Sequence, residues 1–407
     1  MEIPDHRRLG RQLNIFATEE ECGSGLPFWL PAGAVIRREL ETFVIELERR
    51  HGYRHVNTPV MAKRDLYERS GHWAHYHEDM YPPMDLGTEQ VVLRPMLCPH
   101  HILIYGQQPR NWRELPLRIA EVGAMFRYER SGVVGGLSRV RQMTLNDAHI
   151  FCTADQVTDE IADILSMVEE AYGALHIPAP RLRLSRAGEG PKYVSDPAVW
   201  RDSEALIRQA LDRAGAPFVE AEGEAAFYGP KIDLQVTDPQ GREETLSTIQ
   251  VDLLLPQRFG LEYRREDVAQ QPIMLHRSII GTMERMTAHL LEVHNGALPA
   301  WLSPTQVLVL PASDDARLYA TSVKDRLAVS GLRVEVDERD ATLGARIRAA
   351  RERLIPYLAV VGKREQQAQT VSIRLRNGEQ LPPITADEFT AMAGRVIAAR
   401  ELDLVRT

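Results

Sequence analysis

The sequence predicts an α+β domain, built on an antiparallel sheet with flanking helices, followed by a separate α/β domain. Three observations predict it. Over residues 1–300, short apolar strands at hairpin spacing alternate with a few long amphipathic helices. A Gly/Pro-rich stretch, NGALPAWLSP at residues 295–304, marks a boundary. Beyond it the pattern becomes a regular βαβα alternation. The expected domains are residues 1–300 and 305–407.

The elements justify this in order. DHRRLGRQL at residues 5–13 reads as a short polar helix. Residues 34–51 carry Val35, Ile36, Leu40, Phe43, Val44 and Leu47 at helical spacing, and Gly52 ends the helix. Residues 53–61 read as a strand interrupted by Pro59, which places it at a sheet edge or an interface. Residues 65–68 open a helix. SGHWAHYHEDM at residues 70–80 reads as a surface loop holding His72, His75 and His77. Residues 90–97 form a strand that delivers Cys98-Pro99-His100-His101, with Pro99 in the first turn of a helix. Strands are expected at 117–125, 181–184, 244–255 and 272–280, and helices at 155–175, 197–214 and from Gly281 to about His294.

The C-terminal domain expects strands at 306–310, 333–337, 357–361 and 370–375, and helices at 315–330, 342–353 and 386–400. It holds 16 Lys/Arg against 14 Asp/Glu, about +2, while the whole chain is −8. That asymmetry suits an RNA contact, while the net charge argues against a general nucleic-acid coat.

Composition excludes several classes. Apolar residues make up 44 % and charged residues 26 % of the 407, as in soluble globular proteins. No run of 18 apolar residues occurs, so no membrane helix is expected. The polar start MEIPDHRRLGRQ lacks a signal core, and a cytoplasmic location is expected. Three cysteines, Cys22, Cys98 and Cys152, make no disulfide framework.

The chemistry centres on FRYERSGVVGGLSRVRQMTLNDAHIF, residues 126–151. It reads as a hairpin with strands at 126–129 and 138–151 and a turn at 131–136. Strand alternation puts Arg127 with Glu129, Arg139 with Arg141, and Leu145 with Asp147 and His149. Three arginines on one hairpin suggest a grip on phosphates, since each guanidinium offers a planar fork of donors. Cys98, His149 and His276 each sit in or after an apolar run. Singly, each reads as a packed core residue. Together they form a Cys-His-His set that suits zinc with a fourth position open.

These residues carry a resemblance. VNTPVM at residues 56–61, FRYERSG with LSRVR and NDAHIF, and HRSIIGTMERM at 276–286 resemble the three signature motifs of class II aminoacyl-tRNA synthetases. SGHW, AEVGAMFRYE, DAHIFC, AFYGPKID and STIQVD resemble signatures of the threonyl-tRNA synthetase family, as does the C-terminal, anticodon-binding-like domain.

The resemblance implies a homodimer that activates L-threonine with ATP and transfers it to tRNA(Thr), with one Zn2+ per subunit and Mg2+ bridging the ATP phosphates. Arg127 would hold the α-phosphate, Arg139 the distal phosphates, and Arg285 would add charge from the other side. Arg127 and Arg285 are thus the expected catalytic residues. Glu129 and Gln250 complete the ATP contacts. Cys98, His149 and His276 would ligate zinc. Asp147, Tyr228, Gln250 and Leu145 would line the amino-acid pocket, and Glu365 and Arg374 would read the anticodon.

The chain also departs from the family. It starts close to the catalytic core, so a form without the N-terminal accessory and editing domains is expected. Leu145 stands where many members carry glutamine. Leu97 and His100 replace a common asparagine and glycine, and Glu244-Thr245 a common Trp-Gln pair. These changes keep other readings open: a paralogue activating threonine or a related hydroxy-amino acid for another acceptor, a copy conferring inhibitor resistance, or a non-catalytic regulator that binds tRNA or amino acid.

Overall fold

The computed structural model describes residues 3–190 and 193–405. An eight-stranded sheet organises the first part. In chain order its strands are β1 (Arg54–His55), β2 (Leu117–Phe126), β3 (Gln142–Cys152), β4 (Arg181–Arg186), β5 (Phe218–Glu222), β6 (Lys231–Thr237), β7 (Glu243–Asp252) and β8 (Ile273–Ser278). The spatial order is β5-β4-β6-β7-β8-β3-β2-β1. The five inner pairings are antiparallel, and the two outermost, β5 with β4 and β1 with β2, are parallel. The strand expected at 53–61 is shorter: Arg54–His55 lies at the sheet edge, and beyond Pro59 the chain joins a separate three-stranded sheet through Met61–Lys63.

One sheet face is covered by α1 (His6–Gln12), α2 (Pro31–Arg50), α4 (Val157–Leu175), α5 (Pro197–Ala214) and α7 (Met283–Val293), which share a single apolar core with the strands. In α2 a proline in the first turn starts the helix, and Ile36, Leu40, Phe43, Val44 and Leu47 form its buried stripe. The other face carries two shorter helices, α3 (Cys98–Tyr105) and α6 (Leu254–Arg258), over a smaller core that includes Ile102, Ile119, Phe151 and Leu255.

The C-terminal part has its own core and a five-stranded sheet. Its strands are β9 (Val307–Pro311), β10 (Val334–Val336), β11 (Tyr357–Val361), β12 (Thr370–Leu375) and β13 (Ile384–Thr385), in the order β10-β9-β11-β12-β13. The first three are parallel, and β12 and β13 turn antiparallel.

Four local expectations are corrected. The hairpin strands end earlier, with Phe126 paired to Gln142, and residues 127–141 form an irregular loop. Leu137 and Val140, three apart, are both buried, and an extended strand cannot turn both inward. The strand expected at 90–97 stops at Leu93. The strand expected at 244–255 stops at Asp252, whose carboxylate accepts the N–H groups of Leu254 and Leu255 (2.8 and 2.9 Å) and starts α6. The histidine-rich stretch is not a plain surface loop: it forms a helix at His72–Tyr76 and a 3-10 turn at His77–Asp79, and His72 is fully buried.

Candidate active site

Register builds the site. Lys231, Gln250, His276 and His149 are successive cross-strand partners on β6, β7, β8 and β3, so they form one row on the same face. Two residues along, Thr248, Ser278 and Asp147 form a second row. Both rows line a cavity of about 320 Å³, together with Cys98 at the start of α3, Tyr228, Leu145, Arg127 and Arg285. Alternation along β3 thus delivers Leu145, Asp147 and His149 to one face, as expected. A larger cavity of about 460 Å³ lies between α2 and the C-terminal part; its charged residues Glu335 and Arg353 already pair with each other at 2.8 Å.

The Cys98 thiol and the two imidazoles offer ligand atoms within 4.8 Å of one another, all buried. Their hydrogen bonds assign the tautomers. Asp252 accepts from His276 Nε2 at 2.9 Å, which leaves the Nδ1 lone pair free. Glu121 accepts from His101 Nε2 at 3.3 Å, so His101 Nδ1 must accept from His149 Nδ1 at 2.8 Å, and His149 Nε2 is left bare. Both rings are thus braced by carboxylates in the form that can ligate a metal. Burial pushes the Cys98 thiol up and the His149 imidazolium down. A neutral, electron-rich set of one thiol and two imidazoles fits Zn2+, which stabilises the thiolate that burial disfavours.

His72 lies behind Cys98. Ser70 donates to the Tyr67 carbonyl (3.2 Å) and accepts from His72 Nδ1 (2.8 Å), leaving His72 Nε2 to face Cys98 Sγ at 3.5 Å. Burial pushes its pKa down to about 3, so the ring is neutral. Tyr228 stacks on His276 with ring centroids 4.7 Å apart and donates its hydroxyl to Gln250. Among the described residues Asp147 has no cationic partner within ion-pairing distance; its nearest ring, His149 at 3.9 Å, is neutral, and burial raises the Asp147 pKa to about 7. An ammonium group placed in the cavity would supply that partner.

The opposite end is positive. Arg285 is exposed at the cavity rim, where partial desolvation and then the neighbouring Arg127 push its guanidinium below its usual range. Gly281 lets α7 start here: its φ is +65°, and a Cβ would lie 2.7 Å from the Leu246 carbonyl oxygen.

The expected phosphate grip is rearranged. Only Arg127 of the three hairpin arginines lines the cavity. Arg139 pairs with Glu129 at 2.8 Å, and Arg141 donates to the Glu129 carbonyl (2.9 Å) and to Ser131 Oγ (3.1 Å). These side chains left the strand alternation when the loop turned. His100 does not join the Cys98 cluster; both its ring nitrogens are buried without a partner. Leu97 packs with Met125, Val140 and Met143, and Leu145 packs against them as an apolar ledge.

In the C-terminal domain Glu365 accepts from the Gly362 N–H and from Ser372 Oγ, both at 2.9 Å, capping the helix Lys363–Ala368. Arg374 on β12 faces the Gln380 amide oxygen at 3.0 Å. Glu365 and Arg374 do not form an ion pair. His72, His101, Glu121 and Asp252 were missed as site residues. The signal that unites them is a hydrogen bond across strands or helices.

The fold and this cavity define a class, and comparison with known proteins agrees. Residues 81–294 match the family model for the tRNA synthetase class II core domain (G, H, P, S and T), and residues 306–393 match the anticodon binding domain. The chain is 48 % identical over 393 residues to threonine–tRNA ligase 1 of Bacillus subtilis, covering 96 % of this chain and 61 % of that protein. It is 50 % identical over 376 residues to the threonine–tRNA ligase of Enterococcus faecalis, covering 91 % of this chain and 58 % of that one. The solved RNA binding domain of threonyl-tRNA synthetase from Cryptosporidium parvum superimposes with a TM-score of 0.92 at 34 % identity, over 98 % of this chain and 99 % of that one. The chain belongs to the threonyl-tRNA synthetase family of class II. It spans about three-fifths of the length of the curated relatives it matches.

Proposed function

We propose that this chain activates L-threonine with ATP and transfers it to the 3′ end of tRNA(Thr). One observation carries the reading: a carboxylate-braced Cys98-His149-His276 set and the unpaired Asp147 share one cavity with Arg127 and Arg285. Cys98, His149 and His276 would hold zinc, which would supply a Lewis-acid site for the amino and hydroxyl groups of threonine. Asp147 holds the ammonium, and Tyr228 and Gln250 shape the pocket. Valine matches threonine in shape but lacks the hydroxyl, and sites built to bind a hydroxyl reject such analogues strongly.

Arg127 binds the α-phosphate. A threonine carboxylate oxygen attacks the α-phosphorus, pyrophosphate leaves, and threonyl-adenylate forms. Arg127 and Arg285 stabilise the charge that develops on the phosphoryl oxygens. Arg139, released from Glu129, reaches the distal phosphates, while Glu129 and Gln250 complete the nucleotide contacts. Magnesium accompanies the ATP, as in class II synthetases generally. A terminal ribose hydroxyl of the tRNA then attacks the acyl carbon and AMP departs. Glu365 and Arg374 present the C-terminal domain to the anticodon, with Glu365 also acting as a helix cap.

The domains are read as residues 1–300 and 305–407, and the protein as a cytoplasmic homodimer. Val60 and Met61, in the segment resembling the first class II motif, are 38 % and 46 % exposed beside the edge strand, a surface a second copy would cover. Among the described residues no helix is long and apolar enough to cross a membrane.

The test is amino-acid-dependent ATP–pyrophosphate exchange on zinc-replete protein. Exchange with threonine, less with serine and none with valine supports the reading; no exchange with any of the three overturns it.

A further inference from the structure

We propose that His6, held by Glu292, is a positioning residue for the loop 127–141 that carries Arg127 and Arg139. This rests on the reading of the cavity as the adenylate-forming site. Glu292 Oε1 accepts from the His6 backbone N–H (3.1 Å) and from ring Nδ1 (2.7 Å). A carboxylate only accepts, so Nδ1 carries the proton and Nε2 presents its lone pair. That lone pair receives the Leu137 N–H at 3.3 Å, with Ser138 Oγ at 3.4 Å. Leu137 is fully buried, so its N–H needs this acceptor. Gly136 makes the approach possible: its φ is +53°, and a Cβ there would lie 2.2 Å from His6 Nε2.

The same helix holds the loop from the cavity side. Arg285 Nε donates to the Ser138 carbonyl at 3.4 Å. Arg285 and Glu292 lie two turns apart on α7 and so share a face. Helix α7 therefore grips residues 137–138 twice, directly through Arg285 and indirectly through Glu292 and His6. Arg139 follows at once. A further rung, Arg141 N–H to the Gly25 carbonyl at 2.7 Å, ties the end of the loop to the same N-terminal segment.

Asp5, His6 and Glu292 also offer three ligand atoms within 4.8 Å. They do not make a metal site, because both His6 nitrogens are engaged and Asp5 is paired with Arg7 at 2.7 Å.

The experiment uses the full chain with His6→Ala and His6→Gln, whose amide oxygen can restore an acceptor near Nε2. His6→Ala is expected to lower kcat/KM for ATP in pyrophosphate exchange about tenfold, part of the roughly 10²-fold that a 1 Å misplacement costs. The threonine Kd, measured without ATP, stays within about twofold because Leu137 and Ser138, the residues His6 holds, do not line the cavity. Exchange of the Leu137 amide with solvent speeds up at least about tenfold once its acceptor is gone. His6→Gln recovers a large part of both effects.

An unchanged Leu137 exchange rate, equal losses for ATP and threonine, or no recovery in His6→Gln would each overturn the proposal. If His6→Ala does not fold, Glu292→Ala frees the ring and is read by the same measurements. If the unaltered protein catalyses no exchange, the functional reading falls alone, and the amide-exchange result still decides the role of His6.

Discussion

His149 and His276 are direct cross-strand partners on β3 and β8, with ring centroids 4.7 Å apart and planes at 82°. The pairing leaves one bare nitrogen on each ring near the Cys98 thiol. Cys98→Ala removes the only sulfur donor of the set and is expected to abolish both bound zinc and threonine-dependent exchange. Metal analysis of the purified variant checks this; an active, zinc-free Cys98→Ala protein would overturn the assignment.

Asp252 does two jobs, bracing His276 and capping α6, and one substitution separates them. Asparagine caps a helix about as well as aspartate, so Asp252→Asn is expected to keep its Tm. It loses the carboxylate that fixes the imidazole, and zinc affinity falls about 10- to 100-fold. Competition with a chromogenic chelator measures it, and unchanged affinity would remove Asp252 from the site.

Leu97 and Leu145 belong to one apolar cluster. Leu97→Asn, at a fully buried position, is expected to cost about 1–3 kcal/mol, because the amide has no partner. Leu145→Gln lines the cavity and costs less. The double change creates a polar pair, and its cost should fall short of the sum by about 0.5–3 kcal/mol. Denaturant titrations of the four proteins give the coupling; strict additivity would mean the two positions changed independently.

Glu284 supplies a pH test away from the metal set. Burial raises its carboxyl to about 7, and it accepts the Thr144 N–H at 2.9 Å. The folded state therefore holds a proton that the unfolded chain releases near pH 4.5. Its contribution to stability is fully present below pH 4.5 and is lost as pH rises through 7. Glu284→Gln is expected to raise Tm at pH 8 but not at pH 4, flattening the profile. Equal shifts at both pH values would contradict it.

Exposed Val60 and Met61 predict the assembly. Light scattering should give twice the 46.0 kDa chain mass, and Met61→Asp should shift the balance toward monomer. A monomeric parent protein would contradict the dimer.

Much of this was legible in residue order. The long amphipathic helices, the edge strand before Pro59 and the parallel strands beyond residue 306 all follow from periodicity and from proline and glycine chemistry. Those are local properties, with a reach of one or two turns of chain. Alternation also placed Leu145, Asp147 and His149 on one face, because a regular strand has a fixed period. Where the backbone left the strand, the same rule failed: Glu129, Arg139 and Arg141 lie in a loop turned by the burial of Leu137 and Val140. The braces of the metal set, Asp252, His101 with Glu121, and His72 behind Cys98, were decided by the tertiary structure alone. They are hydrogen bonds between groups far apart in sequence, and only sheet register and helix packing bring such donors and acceptors within 3.5 Å.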